Sequence, residues 1–408
     1  MHVVVIGSGV FGAWTAHHLH ARGATVTLVD AYGPAHSRSS SGDETRIVRC
    51  GYGPDAIYSQ LARRSLEQWQ QLSMATGHVG EPLWYPSGVL WMAAGTDDYT
   101  AATRDTLTAL GRPPDVLEPA DVHARFPQFS TDGIRVMLLE RECGVAAARR
   151  AVRVLARDLE LRGVRTVAAR IEPPATTTVV ELRTTHGEVI AADRFVFACG
   201  AWLPDLFPSV LGSRIRPTRQ VVAYFGVPAG DSRYHATRMP AWIDFPAGIY
   251  GTPDIDGRGV KVGIDEHGGP IDVDAADRVP DARSLERARA WLAHRVPGLA
   301  GAPVVDFADY DTGYTERYMG TPDENREGYT EGSVLTHVKN LRGKLMIVHG
   351  MVDENVHFRN TARLLVALAE EQKPYDLLLF PEERHMPRDA RGLEYQERRV
   401  LEYFTEHL

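Results

Sequence analysis

Cysteine is scarce in this chain. Cys50, Cys143 and Cys199 are the only three in 408 residues, and they stand far apart. An odd, sparse set argues against a disulfide framework and points to a reducing compartment, the cytoplasm. No CxxC pair exists, so spacing suggests no cysteine-based zinc site, and no metal is expected. No stretch is apolar enough to span a bilayer, which argues against a membrane partner. Met1-His2-Val3-Val4-Val5-Ile6 opens on a strand with no basic segment leading a long apolar core, so no signal peptide is expected. Basic residues form no runs, net charge is −8 and the isoelectric point is near 6.1, which argues against a nucleic-acid partner. The sequence also has no internal repeat, no low-complexity tract and no G-x-S-x-G pattern.

What is present is a globular balance, with 44% hydrophobic residues and length for two or three domains. Val3 to Ile6 is a β-branched run that reads as a strand buried on both faces, as in a parallel sheet. Gly7-Ser8-Gly9-Val10-Phe11-Gly12 follows, a G-x-G-x-x-G motif. A helical pattern runs from about Val10 to Arg22, and a second strand, Thr25 to Val29, ends at Asp30. Gly7 permits the tight turn, Gly9 lets a pyrophosphate approach the backbone, and Gly12 lets helix and strand pack closely. The helix N-terminus offers unpaired N–H groups and a partial positive charge to phosphates. Asp30, 18 residues after Gly12, is placed to accept hydrogen bonds from an adenosine ribose. His17, His18 and His20 fall on this helix, where only His17 and His20 share a face, and they read as solvated residues.

The motif alone does not choose between NAD and FAD. The next segment does. Ser39-Ser40-Ser41-Gly42-Asp43-Glu44-Thr45-Arg46-Ile47-Val48-Arg49 resembles the sarcosine oxidase and N-methyltryptophan oxidase group of the D-amino-acid-oxidase superfamily. The resemblance implies that the Ser/Gly-rich stretch, with Ser41, Gly42 and Thr45, passes beside an FAD isoalloxazine. It implies that Arg46 lies near the flavin and that Arg49 helps bind a substrate carboxylate. A guanidinium suits that task because it stays protonated and can grip a carboxylate with two N–H groups. Arg194 to Trp202, Ile215 to Val222, Ile249 to Pro253 and Val260 to Gly263 resemble later segments of the same family. Some sarcosine oxidases carry a pocket histidine near this last strand, where this chain has Asp265 and, two residues on, His267.

The family plan implies an α/β and α+β fold. A Rossmann-like FAD-binding domain (1–82 and 140–216) interleaves with an antiparallel-sheet substrate domain (83–139 and 217–306). Tyr85 to Met92 reads as the first strand of the substrate domain, 112–119 as a connecting loop, and Leu285 to His294 as a helix. After Phe307 the family would continue into a region with a flavin-linking cysteine, a Gly-rich segment and, in sarcosine oxidases, a lysine near the oxygen-reactive face. None is recognisable there, and no cysteine follows Cys199. Instead, Asp309 to Gly320, Leu345 to Phe358 and Glu383-Arg384-His385 resemble the dipeptidyl peptidase branch of the prolyl oligopeptidase family. Local patterning agrees: a strand at Leu345 to Val348, a helix at Thr361 to Glu371 and a strand at Tyr375 to Phe380 suit a partial α/β-hydrolase fold over 307–408. That resemblance implies Asp353 as the acid that orients His385 as general base, with Tyr310, Tyr314 and Asn355 contacting substrate.

Three readings follow. The first is an FAD-dependent oxidoreductase that oxidises a secondary or N-methylated amino acid or related amine by hydride transfer to flavin, with O2 as acceptor. The second is a serine-type peptidase, for which the chain lacks a visible nucleophile. The third is an inactive chimera. The expected partner is a small-molecule amine or amino acid, and the hydrolase resemblance leaves a homodimer open.

Overall fold

A computed structural model describes residues 1–76, 82–95, 98–174, 179–228, 230–266, 268–275, 280–307, 334–351, 358–381, 383 and 390–407. The fold is mixed α/β, in two compact units, Met1–Tyr310 and Asp311–Leu408. No helix among the described residues is long and apolar enough to cross a membrane.

In the first unit, a parallel sheet is built on β1 (His2–Ile6), flanked by β2 (Thr25–Asp30) and extended by a later strand, Arg165–Ala168. On the other side, β1 pairs in parallel with Arg194–Phe197, Val3 opposite Arg194. Both faces of β1 are covered, as its unbroken β-branched run requires. Val3 and Val5 pack with Ala13 and Ala16 of the helix Val10–Ala21 and with Leu155 of the helix Ala148–Leu161. Val4 and Ile6 pack with Val29, Ile171 and Leu182 on the opposite side.

Next along the chain come β3 (Arg46–Val48) and β4 (Trp84–Tyr85), which join β8 (Gly144–Ala146) in a three-stranded sheet. The Tyr85 to Met92 run therefore does not form one strand. Pro86 lacks an N–H to donate, and Gly88 has φ +79°. The chain turns there and restarts as β5 (Val89–Ala93) in a different sheet. The 112–119 segment likewise holds a short edge strand, β6 (Asp115–Leu117), that its three prolines concealed.

The largest sheet has eight strands. One half holds β5, β6 and β7 (Val136–Glu140). With the strands Arg165–Ala168, Glu181–Arg183, Val189–Ala191 and Arg194–Phe197 numbered β9 to β12, the other half holds four more. These are β13 (Val222–Phe225), β14 (Ala241–Asp244), β15 (Ile249–Thr252) and β16 (Val260–Ile264), and β17 (Val304–Phe307) lies at the edge. All its pairings are antiparallel except β14 on β5, which is parallel and joins the halves. The helix Ala282–Arg295, capped by Asp281 accepting from the Ser284 N–H at 2.8 Å, stacks Trp291 on Trp242, their ring centroids 5.4 Å apart and their planes nearly parallel. Asp244 accepts from Trp291 Nε1 (2.8 Å) and Arg295 Nε (3.0 Å), which ties that helix to β14.

In the second unit, β18 (Met346–Gly350) and β19 (Asp376–Phe380) pair in parallel, with the helix Phe358–Glu370 between them in sequence and Ala390–His407 at the end. This is the strand–helix–strand order expected there.

Candidate functional site: a dinucleotide cavity in the first unit

The turn after β1 is built by contacts that exclude side chains. Gly7 has φ +100° and donates its N–H to Val29 O at 2.7 Å. A Cβ on Gly7 would lie 2.4 Å from Ala198 O, and one on Gly12 would lie 1.7 Å from Gly7 O. Only glycine fits either place, which lets the helix Val10–Ala21 start directly behind the strand. That helix has Gly9 at its N-cap and no side-chain cap. Its first N–H, on Val10, donates to Ser41 Oγ at 3.0 Å; the next N–H groups have no intrahelical acceptor.

Asp30 ends β2 and gathers backbone donors. Its Oδ2 accepts from Ser8 N (2.6 Å) and its Oδ1 from Tyr32 N and Gly33 N (both 2.8 Å). A carboxylate has about four acceptor sites, so a ribose hydroxyl would take the one that remains. Nearby, Asp274 accepts from Tyr32 OH (2.7 Å) and Trp202 Nε1 (2.9 Å) and pairs with Arg170. Burial opposes ionisation of Asp274, but these donors win and hold its carboxyl at about 2.

The loop that carries Ser41 runs into a buried polar knot. Arg149 Nε donates to Gly42 O at 2.6 Å. Asp43 pairs with Lys261 and Arg46 and accepts from Tyr224 OH at 3.0 Å. Lys261, 1% exposed on β16, also donates to Thr45 O at 2.9 Å. Burial by itself would raise the Asp43 carboxyl; Lys261 and Arg46 overcome it and hold it at about 2. Burial pushes the Lys261 ammonium down to about 8 against the pull of Asp43. The knot fixes the backbone from which Arg46 projects, and Arg46 NH2 donates to Ser40 O at 2.6 Å.

A cavity of about 940 Å³ runs through this ground. Gly7, Gly9, Asp30, Ser41 and Arg46 line it together, with Tyr32, Arg170, Cys199, Trp202 and Asp274. Gly12, Gly42 and Thr45 do not line it. Gly12 packs beneath Gly7, and the Thr45 hydroxyl is bonded to Tyr224 OH (2.8 Å) and Thr252 Oγ1 (3.1 Å). Arg49, at the far end of β3, lies over the Tyr52 ring at 4.4 Å and the Trp91 ring at 5.2 Å and donates to Gly51 O. His17 sits against Arg162 and Trp14. Asp353, His385, Tyr310, Tyr314, Asn355 and His267 lie outside the described residues.

These residues fit a dinucleotide. The glycine turn lines a large, mostly apolar space, and the helix that starts there has first-turn N–H groups without intrahelical acceptors. Lys261 escaped the sequence reading, although a signal existed. A lysine within the apolar strand Val260-Lys261-Val262-Gly263-Ile264 requires a buried anion. Asp274 carried no signal, because its partners are distant in sequence.

Comparison with known proteins agrees with this geometry. Residues 2–337 match the family model described as FAD dependent oxidoreductase, and 297–408 match the prolyl oligopeptidase family, the two overlapping over 297–337. The chain is 30% identical over 310 residues to monomeric sarcosine oxidase of Bacillus sp. (strain B-0618), covering 73% of this chain and 77% of that one. It is 47% identical over 113 residues to dipeptidyl peptidase 8 of Homo sapiens, 27% of this chain but 13% of that protein. L-proline dehydrogenase from P. horikoshii has a similar fold, with a TM-score of 0.64 at 20% identity over 75% of this chain and 79% of that one. By its glycine turn, its cavity and the match over residues 2–337, the chain belongs to the family of FAD-dependent oxidoreductases.

Proposed function

We propose that this chain oxidises a secondary or N-methylated amino acid, or a related amine, with O2 as the final electron acceptor. The observation that carries this reading is that the glycine turn, Asp30, Ser41 and Arg46 wall one cavity. Gly7 and Gly9 leave room for a pyrophosphate, the helix start offers it N–H groups, and Asp30 holds a ribose. When bound, FAD supplies the two-electron acceptor; the protein supplies position and charge. Arg46 presents a fixed positive charge to the cavity, with its side chain 44% exposed. Arg49 is assigned to a substrate carboxylate. Its guanidinium stays protonated and is held against Tyr52 and Trp91, where a carboxylate adds charge-assisted hydrogen bonds. The similarity to monomeric sarcosine oxidase supports this choice of substrate class.

Residues 307–408 are assigned no catalysis of their own. The chain contains no G-x-S-x-G nucleophile to serve Asp353 and His385. The test is direct. Protein purified without added cofactor is desalted and its visible spectrum recorded, then N-methyl amino acids are added without and with oxygen. Bleaching of the flavin band without oxygen, and peroxide with it, are expected; Arg49→Met raises KM for carboxylated substrates more than for simple amines. A colourless protein that takes up no FAD overturns the reading. Release of a chromophore from an X-Pro dipeptide anilide would favour the peptidase reading.

A further inference from the structure

Away from the dinucleotide cavity, two thiols and a buried carboxylate converge. Cys50 and Cys143 are 93 positions apart in sequence, but β3 pairs antiparallel with β8, Val48 opposite Gly144. That register carries the residues just past Val48 alongside the residue just before Gly144. Glu140, the last residue of β7, joins them. Cys50 Sγ, Cys143 Sγ and a Glu140 carboxylate oxygen all lie within 4.8 Å of one another, with Glu140 and Cys143 buried and Cys50 half-buried. Cys143 Sγ approaches Glu140 Oε2 at 3.2 Å.

The carboxylate is held in place by one indole and two backbone N–H groups. Glu140 Oε1 accepts from Trp91 Nε1 at 2.8 Å, and Oε2 accepts from Cys50 N (2.8 Å) and Gly51 N (3.1 Å). Such outer partners orient a metal-bound carboxylate. The three side chains open on a second cavity of about 720 Å³, which Arg63, Arg64 and Arg112 also line. Ser59 lines it too, 2% exposed, and its hydroxyl has no partner among the described residues.

We propose that Cys50, Cys143 and Glu140 form a binding site for a divalent transition metal of the zinc class, with a fourth coordination position open to this second cavity. Two sulfur ligands favour such an ion over magnesium or calcium, which take oxygen ligands. Three protein ligands with an open position are compatible with tetrahedral zinc. On binding, each thiol exchanges its S–H bond for an S–metal bond, so two protons leave per ion and no electrons move. Two thiolates and a carboxylate exceed the ion's charge by one negative unit; Arg64 lines the same wall, where Arg63 and Arg112 are paired with Glu67 and Glu142.

The test uses the full chain without an affinity tag. Reduced protein is incubated with zinc chloride, desalted and assayed for bound zinc by plasma mass spectrometry, and its zinc environment is read by X-ray absorption. A single zinc per chain with two sulfur neighbours is expected. Cys50→Ser and Cys143→Ser each weaken zinc retention at least tenfold, and Glu140→Gln weakens it with both sulfurs still coordinated. A zinc shell of nitrogen and oxygen alone overturns the proposal, and that measurement needs no variant to fold. Reduced wild-type protein that retains no zinc, or that only joins Cys50 to Cys143 as a disulfide, overturns it as well.

Discussion

The Asp43–Lys261 pair illustrates how a buried charge constrains its neighbours. The fold lowers the Asp43 carboxyl to about 2, which favours folding, and lowers the Lys261 ammonium to about 8, which opposes it. The two effects offset one another near neutrality, so the pair orients the Arg46 segment more than it stabilises the protein. Asp43→Asn leaves Lys261 buried without its anion and is expected to cost about 3–5 kcal/mol. The double change Asp43→Asn, Lys261→Met should cost less than Asp43→Asn alone, as read from urea midpoints in a double-mutant cycle. An unfolded aspartate titrates near 3.9, above the folded value, so the Asp43 contribution is complete above that pH and fades as pH falls toward about 2. The acid limb of stability in the wild type should therefore be steeper than in the double variant. At the glycine turn, Gly12→Ala must force apart atoms that would meet at 1.7 Å. Overpacking of this kind costs about 1–3 kcal/mol or more. Loss of the flavin band after desalting would register it, and an alanine variant that keeps its colour and midpoint would contradict it. Both glycines were legible in the sequence because φ and packing admit no other residue there. The knot was not, because its members come from positions 43 and 261 and meet only through the sheet.

Among elements, the helix Ala282–Arg295 depends on one buried carboxylate. Asp244, 0% exposed, receives Trp291 and Arg295, and Arg295 also donates to Ser130 O and Asp132 O at 2.9 Å each. Asp244→Ala strands a buried guanidinium and should cost about 3–5 kcal/mol. Asp244→Asn retains an acceptor and should cost less, a ranking that thermal melts decide. The sequence showed this helix through its 3.6-residue period and its stop near Pro297, and β1 through its unbroken β-branched run. It misread Tyr85 to Met92, where apolar content hid two strands separated by Pro86 and Gly88. Hydropathy reports burial, and both pieces are buried; which sheet buries each is decided by turn geometry and by partners far along the chain.

At the level of the whole chain, the two units are unequal in core among the described residues. The first has continuous clusters on both faces of its parallel sheet and within its large sheet. In the second, the described buried residues are Val338, His349, Gly350, Thr361 and Leu368. Its sheet is a parallel pair, a type that is stable only when covered on both faces. A fragment of residues 311–408 expressed alone should therefore show helical circular dichroism without a cooperative melt. A sharp transition would show that it carries a sufficient core. The hydrolase pattern of this unit was readable from strand–helix alternation, whereas the scarcity of buried side chains among its described residues could be read only from burial.

The pairing of Val3 with Arg194 also bears on how the protein is made. These partners are 191 residues apart, and ribosomes add about 5–20 residues per second, so β1 emerges about 10–40 s before its β12 neighbour exists. Throughout that interval one edge of this apolar strand is open to any other strand nearby. The yield of soluble protein should thus respond to translation speed and to holdase chaperones more than to the stability of the finished fold.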